Sequence, residues 1–433
     1  MLFMLIIPKV YLFGSFLVVI GVTCLGSSSV LLNSFLPVLV ANHPSVQDRV
    51  ARSNNETSSI PLESLSESRD SAEIGPYAPT TTPAKSTPAE LQLSAKISSK
   101  GVGFGYCAAV LVQVLSIILL WGLSKTKASS TLPLRLVLFI VGLWWFVFTI
   151  PTVLYLHPRP GPPLTTSSKP GRLRALFNYL SFALLSLFRT IRLAFQLRQM
   201  VIFLVAWFLL SDAVATVSGT AILFARTELH MSTIAIALLS ITATGSGIAG
   251  AFLWPILSRR FRLPTNKTIV ACILFMEIIP LYGLLGYVPF IQSWGVGGLQ
   301  KPWEIYPLGF IHGFVMGGLS SYCRSFFGLL IPPGSEAAFY ALYAITDKGS
   351  SAVGPAVVGV IVDRVGSIRP AFIFLTILIA LPAPMIWMVN VKKGQEDAVM
   401  MAGLIGKTAD AHVDIDDLAD GIHENEGLMR DHD

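Results

Sequence analysis

Charged side chains are rare within the long apolar stretches of this 433-residue chain, and the few that occur there are the residues best suited to chemistry. They are Asp212, Glu277, Arg324 and the adjacent pair Asp347 and Lys348. A charge at the centre of a bilayer costs at least about 2.5 kcal/mol, so it persists only where it is paired or faces water. The available chemistry is therefore the binding of an ionic solute or the movement of a proton.

Asp212 lies near the middle of one apolar stretch, and Thr216 follows it one helical turn later. A face with a carboxylate and a hydroxyl could line a solute path, or it could fix the packing of neighbouring helices. Glu277 has two corresponding interpretations, as a titrating carboxylate or as a hydrogen-bonded packing residue. Arg324 lies near the end of its stretch, where its side chain could extend to the membrane surface.

The stretch that holds Asp347 and Lys348 is the least lipid-like in the chain. Gly349 and the dipeptide Gly354-Pro355 predict a helix that loosens or breaks within the membrane, which is tolerated where protein or water surrounds the backbone. Adjacent helical residues point about 100° apart, so we expect the two charges to find different partners. Solute or proton handling is the favoured role, and an interhelical salt bridge is the alternative.

Nine apolar stretches are long enough to span a membrane as helices, and they place these residues at membrane depth. With 53% apolar and 13% charged residues, the sequence predicts an all-α polytopic membrane protein with one large membrane domain. The stretches are residues 11–38, 102–123, 136–156, 201–224, 231–257, 267–288, 305–329, 338–362 and 370–388.

The sequence offers no support for an enzyme, a cofactor, a metal site or nucleic-acid binding. The four cysteines occur singly, and the seven histidines do not cluster with Asp, Ser or Cys at a catalytic or metal-binding spacing. The acidic tail at 392–433 lacks the glycine and the distal glutamate of a calcium-binding EF-hand loop.

Orientation follows from Lys and Arg, which concentrate in the loops on one side of the predicted spans. We expect that side, with the tail, to be cytosolic. Residues 41–100 are rich in Ser, Thr and Pro and predict a disordered cytosolic loop. The glycosylation motifs at Asn55 and Asn266 then lie in the cytosol and remain unmodified.

The loop at 157–200 is basic and contains no acidic residue. Apolar residues recur in it at helical spacing from Leu173 to Ile191, over a run too short to span a membrane. This pattern predicts an interfacial helix that contacts anionic lipid headgroups or simply joins two halves of the protein.

Four segments resemble the autophagy-related protein 22 family of fungi, a branch of the major facilitator superfamily. They are LLNSFLP at 31–37, LLSDA at 209–213, LFARTEL at 223–229 and PPGSEAAFYALYAITDKGSS at 332–351. The resemblance implies a multi-pass vacuolar transporter that returns amino acids from autophagic breakdown to the cytosol by alternating access, and it names no protein partner.

By this resemblance the nine stretches correspond to helices four to twelve of a twelve-helix fold, with the chain truncated at its N-terminus. The expected parts are a remnant of the N-terminal bundle at 1–40, the loop at 41–100, two spans at 101–156, the linker at 157–200, a six-helix bundle at 201–391 and the tail at 392–433. The absence of three helices leaves an alternative, a non-transporting membrane scaffold or a decayed paralogue.

An amino acid presents both charges to its binding site. We expect Asp212 or Asp347 to bind the ammonium group, and Lys348 or Arg324 to bind the carboxylate, of a neutral amino acid such as leucine or tyrosine. Thr216 lies on the same predicted face. Conformational roles are expected for Gly349, Gly354 and Pro355, and a proton-coupling role for Glu277.

Overall fold

A computed structural model describes residues 11–48, 51, 88–124, 132–156 and 172–405. Within those ranges the chain is helical with short connections and contains no strand. The motif at Asn55, most of the predicted loop around it and the tail from 406 onward lie outside the described residues.

The described helices follow in chain order, and residues 391–405 are also helical. They are α1 (Tyr11–Ala41), α2 (Pro88–Ser124), α3 (Leu132–Tyr155), α4 (Arg172–Gln196), α5 (Arg198–Thr227), α6 (Thr233–Arg260), α7 (Thr265–Leu284), α8 (Pro289–Trp294), α9 (Ile305–Gly328), α10 (Glu336–Ser350), α11 (Val353–Val365), α12 (Ala371–Ala380) and α13 (Pro382–Met388).

Seven helices in the described part of the chain are long and apolar enough to cross a membrane. They contain the predicted spans at 11–38, 102–123, 136–156, 201–224, 231–257, 267–288 and 370–388 almost completely. The all-α polytopic fold is therefore confirmed, because each segment satisfies its backbone hydrogen bonds internally as lipid requires.

The other two predicted spans differ from a simple apolar helix. Residues 305–329 form one helix, α9, but Gly, Ser, His and Arg make it more polar than a lipid-facing span. Residues 338–362 form two shorter helices, α10 and α11, which are separated at Ser351 and Ala352. The interruption expected from Gly349 and Gly354-Pro355 is present.

The glycines of α9 and α6 allow these two helices to pack closely. A side chain at Gly313 would place its Cβ 1.7 Å from the Ala243 carbonyl oxygen, and one at Gly250 would place it 1.9 Å from the Phe314 carbonyl oxygen. Small residues allow this approach of two backbones, and dispersion contacts then replace lipid contacts.

Helix α2 begins at Pro88, so the expectation of disorder up to residue 100 is wrong for its last part. The cause is tertiary packing. Ser94, Ser98 and Ser99 are buried, and their hydroxyls contact α9. Polar residues at helical spacing can form a buried face when the partner helix supplies hydrogen-bond acceptors.

Candidate functional site

Asp212 lies on α5 in the core of the bundle, with 2% of its surface exposed. Its Oδ1 accepts a hydrogen bond of 2.9 Å from the backbone N–H of Gly354. Gly354 is in the first turn of α11, where N–H groups have no partner within the helix and carry partial positive charge. A carboxylate from one helix therefore caps the second half of the interrupted span.

Gly354 and Thr216 meet closely at this cap. A Cβ on Gly354 would lie 1.9 Å from Thr216 Oγ1 and 3.0 Å from Asp212 Oδ1, so any other residue would displace α11. The Thr216 hydroxyl donates to the Asp212 carbonyl at 2.7 Å. Pro355 follows in the first turn of the helix, where its missing N–H costs nothing.

The first half of the interrupted span is held by the preceding residue of α5. Ser211 donates to the Asp347 carbonyl oxygen at 3.1 Å and also contacts the Asp347 carboxylate Oδ1. Ser211 and Asp212 thus bind the two sides of the break, and the expected residues Asp212, Thr216, Asp347 and Gly354 lie at one place.

The expectation that Asp347 and Lys348 find different partners is wrong. Lys348 Nζ lies 2.9 Å from Asp347 Oδ2, and the side chains are 82% and 27% exposed, respectively. The four-carbon stem of lysine is long and flexible enough to bring the ammonium group back to the neighbouring carboxylate. Gly349, the next residue, is exposed, with open space around its α-carbon.

Arg324 lies apart from these carboxylates, in contact with α1 and α2. Its Nη1 donates to Asn33 Oδ1 at 2.9 Å, and its Nε and Nη2 donate to Ser98 Oγ at 3.1 and 2.8 Å. The Tyr340 hydroxyl donates to the Arg324 carbonyl at 3.2 Å. Arg324 therefore bridges three helices through neutral acceptors and does not extend to the surface.

Among the described residues, Glu277 on α7 has no partner for the hydrogen-bonded packing role that was one of its two interpretations. Its other interpretation, a titrating carboxylate, stays a prediction. Both carboxylate oxygens are buried and have no hydrogen-bond partner among the described residues. A buried carboxylate without partners carries a desolvation penalty of several kcal/mol when it is charged. Glu277 is therefore the residue of α7 whose charge lacks a compensating group among the described residues.

A cavity of about 220 Å³ lies between α5, α6, α9 and α12, and sequence reasoning did not find it. His312 and Ser218 form its polar spot, with Nε2 and Oγ 3.0 Å apart. The remaining wall is mostly apolar and includes Phe224, Leu239 and Phe372. The available signal was His312 itself, a histidine within a predicted span.

One end of this cavity is closed by a structured loop. Leu299 forms part of the wall, and Arg369 donates to the Gly298 carbonyl at 3.2 Å while lying 5.7 Å from the Phe224 ring. Glu304, 2% exposed, accepts hydrogen bonds from the backbone N–H groups of Leu299 and Lys301 at 2.9 and 3.0 Å. A buried carboxylate thereby fixes the loop shape.

An interrupted helix with charged groups at its break, inside a bundle of membrane-spanning helices, is the arrangement found in secondary transporters. Comparison with known sequences agrees with this class. The sequence model described as "Vacuole effluxer Atg22 like" matches residues 1–399, and the chain belongs to this family.

Curated fungal relatives are similar along almost the whole chain. Autophagy-related protein 22 of Botryotinia fuckeliana is 61% identical over 444 residues, which cover 100% of this chain and 74% of the relative. Autophagy-related protein 22-1 of Sclerotinia sclerotiorum is 61% identical over 452 residues, with the same two coverages. Autophagy-related protein 22-2 of Aspergillus fumigatus is 57% identical over 446 residues, covering 99% of this chain and 72% of the relative.

Proposed function

We propose that this protein exports amino acids released by autophagic breakdown from the vacuole lumen to the cytosol, by alternating access. The observation that carries the proposal is the Asp212 carboxylate capping the interrupted span of an effluxer-family member. Non-helical backbone within a bundle is tolerated where protein buries it or where it lines a water-filled cavity, and in secondary transporters such breaks form the solute and ion sites.

The solute charges would be bound around Asp347. Its carboxylate already pairs with the Lys348 ammonium group at 2.9 Å, so a solute ammonium can replace Lys348 on Asp347. Lys348, which is mostly exposed, is then available for the solute carboxylate. Asp212 and Thr216 maintain the shape of the break while this exchange takes place, and Asp212 is the second candidate for the ammonium group.

The apolar cavity supports a preference for neutral solutes such as leucine or tyrosine. Its volume of about 220 Å³ accommodates an apolar side chain, and its wall is mostly apolar, with His312 and a few hydroxyl residues as its polar groups. A solute with a charged side chain would lose its hydration on entering this cavity, and that desolvation cost alone opposes its binding.

Alternating access requires one closed end to open, and Arg324 is at the closed contact between α9 and the first two helices. Arg324 holds Asn33 of α1 and Ser98 of α2, and beside it the Ser94 and Ser325 hydroxyls lie 2.9 Å apart. In the proposed orientation this contact is at the cytosolic end. Its separation would open the path to the cytosol and free the guanidinium group for a solute carboxylate.

Glu277 is the proposed proton-coupling group. Its carboxylate oxygens are buried and have no partner among the described residues, so a rearrangement that hydrates or pairs the group would change its hold on a proton. Proton movement would then be linked to the conformational change.

The test is amino-acid efflux from isolated vacuoles of a fungal strain that lacks its own family member and expresses the full chain. Asp212→Asn keeps the size of the side chain but weakens the charged cap, because charge-assisted hydrogen bonds are about twice as strong as neutral ones. We expect efflux of preloaded leucine to fall at least about tenfold. The control is Asp363→Asn, an exposed carboxylate on α11.

Two results would overturn the proposal. The first is that vacuoles with the unmodified chain release no more leucine than vacuoles of the strain without it, which would exclude transport by this protein. Equal efflux from Asp212→Asn, Asp363→Asn and the unmodified chain would remove the capped break from the mechanism.

A further inference from the structure

Helix α4 meets α5 at an elbow around Leu197, and an apolar groove of about 270 Å³ lies in the angle. Helix α10 forms its back wall. Thr346 is its polar wall residue, and that hydroxyl already donates to the Tyr343 carbonyl at 2.8 Å. The wall consists of Ile191, Ala194, Phe195, Val201, Leu204, Val205, Phe208, Leu209, Leu342 and Thr346.

Water is a poor occupant of this groove. A water molecule takes up about 30 Å³ and needs two to four polar partners, and this wall offers one hydroxyl that already has an acceptor. An empty groove also forfeits the dispersion contacts of all its wall atoms. The walls therefore favour an apolar chain.

The rim of the groove is positively charged. Arg192 precedes Phe195 by one turn of α4, and Arg198 precedes Val201 by one turn of α5, so each arginine lies on the side of its helix that reaches the groove. Arg189, Arg192 and Arg198 are exposed, and within the described ranges no carboxylate forms an ion pair with them.

We propose that the groove binds one anionic phospholipid, with an acyl chain between α4, α5 and α10 and the phosphate on Arg192 and Arg198. The wall extends from Val201 to Leu209, about 12 Å at 1.5 Å per residue, which fits within one leaflet of a hydrocarbon core about 30 Å thick. Arginine suits this role because its planar guanidinium binds phosphate oxygens through paired hydrogen bonds.

The lipid would also act on the interrupted span. Thr346 directly precedes Asp347, which accepts from Ser211 on α5, so the chain lies against the two helices that form this contact. Occupancy would stabilise α10 against α5 and support transport. This second step rests on the proposed function, whereas lipid binding itself does not.

The test uses the full chain in nanodiscs of phosphatidylcholine that contain a phosphatidylserine probe with a photoactivatable diazirine on its acyl chain. We expect the label on peptides that contain residues 191–195 or 201–209. Arg192→Gln with Arg198→Gln should reduce labelling at least about tenfold, since each cation near an anionic headgroup contributes about 1 kcal/mol. The control pair is Arg260→Gln with Arg262→Gln, exposed residues at the end of α6 and just after it that are outside the groove wall.

A second variant separates the chain site from the arginines. Val205→Trp places a large side chain in the groove, because Val205 forms part of its wall and is 45% exposed. We expect it to abolish labelling of α5 while both arginines remain. Variants are compared only after each elutes as a single species from the nanodisc preparation.

Three outcomes would overturn the proposal. The first is equal labelling of the Arg192 and Arg198 variant and of its control. The second is equally strong labelling by a matching phosphatidylcholine probe, which would show that charge is not recognised. The third is capture of another protein segment, instead of lipid, by a photoreactive amino acid at position 205. Labelling requires no transport, so loss of the proposed function would leave this result intact.

Discussion

At the scale of single residues, the cap at the interrupted helix depends on the absence of one side chain. Gly354 provides the N–H that Asp212 accepts, and it leaves room for the Thr216 hydroxyl. The sequence indicated these residues separately. It could not show that they meet, because Asp212 and Gly354 are 142 residues apart and a backbone donor has no sequence signature.

Gly354→Ala should impair the protein through this contact. The added Cβ would lie 1.9 Å from Thr216 Oγ1, so α11 must move and the hydrogen bond to Asp212 must lengthen. We expect a loss of stability of about 1–3 kcal/mol, typical of an overpacked core, and leucine efflux below a tenth of the unmodified value. Thermal unfolding in detergent and vacuolar efflux measure the two effects.

The matched control is Gly359→Ala on the same helix, where a Cβ meets nothing within 4 Å. Alanine there should leave stability unchanged or slightly improved, because it favours helix formation over glycine. Equal behaviour of the two variants would mean that α11 can shift at no cost and that the cap is not rigid.

At the scale of helices, the sequence predicted the bounds of α5 and α7 well. It predicted neither the start of α2 nor the contacts of Arg324. A run of about 20 apolar residues identifies a lipid-facing helix. The buried face at the start of α2 consists of serines, and a serine-rich segment on its own is typical of a loop. The partners of Arg324 are Asn33 and Ser98, neutral residues with no distinctive pattern. Such contacts depend on which helices become neighbours, and a single sequence does not record this.

The contact between α2 and α9 can be tested with a reversible crosslink. The Oγ atoms of Ser94 and Ser325 are 2.9 Å apart, close enough for a disulfide after Ser94→Cys and Ser325→Cys with a small adjustment. If the two helices separate during transport, oxidation should reduce efflux to background and a reductant should restore it. Gel mobility after proteolysis between the helices reports the crosslink.

Each single cysteine variant is the control, treated with the same oxidant and reductant. Full efflux from a quantitatively crosslinked protein would show that α2 and α9 stay together throughout the cycle. Opening would then have to occur elsewhere, and the proposed role of Arg324 would be withdrawn.

At the scale of the whole molecule, the two ends of the bundle differ in character. One end carries Arg198, Arg260 and Arg262, and the other has the α8 region with exposed aromatic side chains. Exposed aromatics at the ends of spans suit the membrane interface, and concentrated arginine suits the cytosolic side. The distribution of charged and aromatic residues along the chain can be read from the sequence, so orientation is predicted without the structure, and it stays a prediction.

Orientation can be measured in intact vacuoles with a membrane-impermeant thiol reagent. Arg262→Cys, in the connection between α6 and α7, should react from the outside, because the cytosolic side of the vacuole faces the medium. Lys301→Cys, in the loop fixed by Glu304, should react only after the membrane is permeabilised. The unmodified chain, with its four cysteines, gives the background for both.

The motif at Asn266 should remain unglycosylated, since it lies close to Arg262 on the same side. The reverse labelling pattern would place the Arg324 contact at the lumenal end, so that its opening would admit solute from the lumen instead of releasing it to the cytosol.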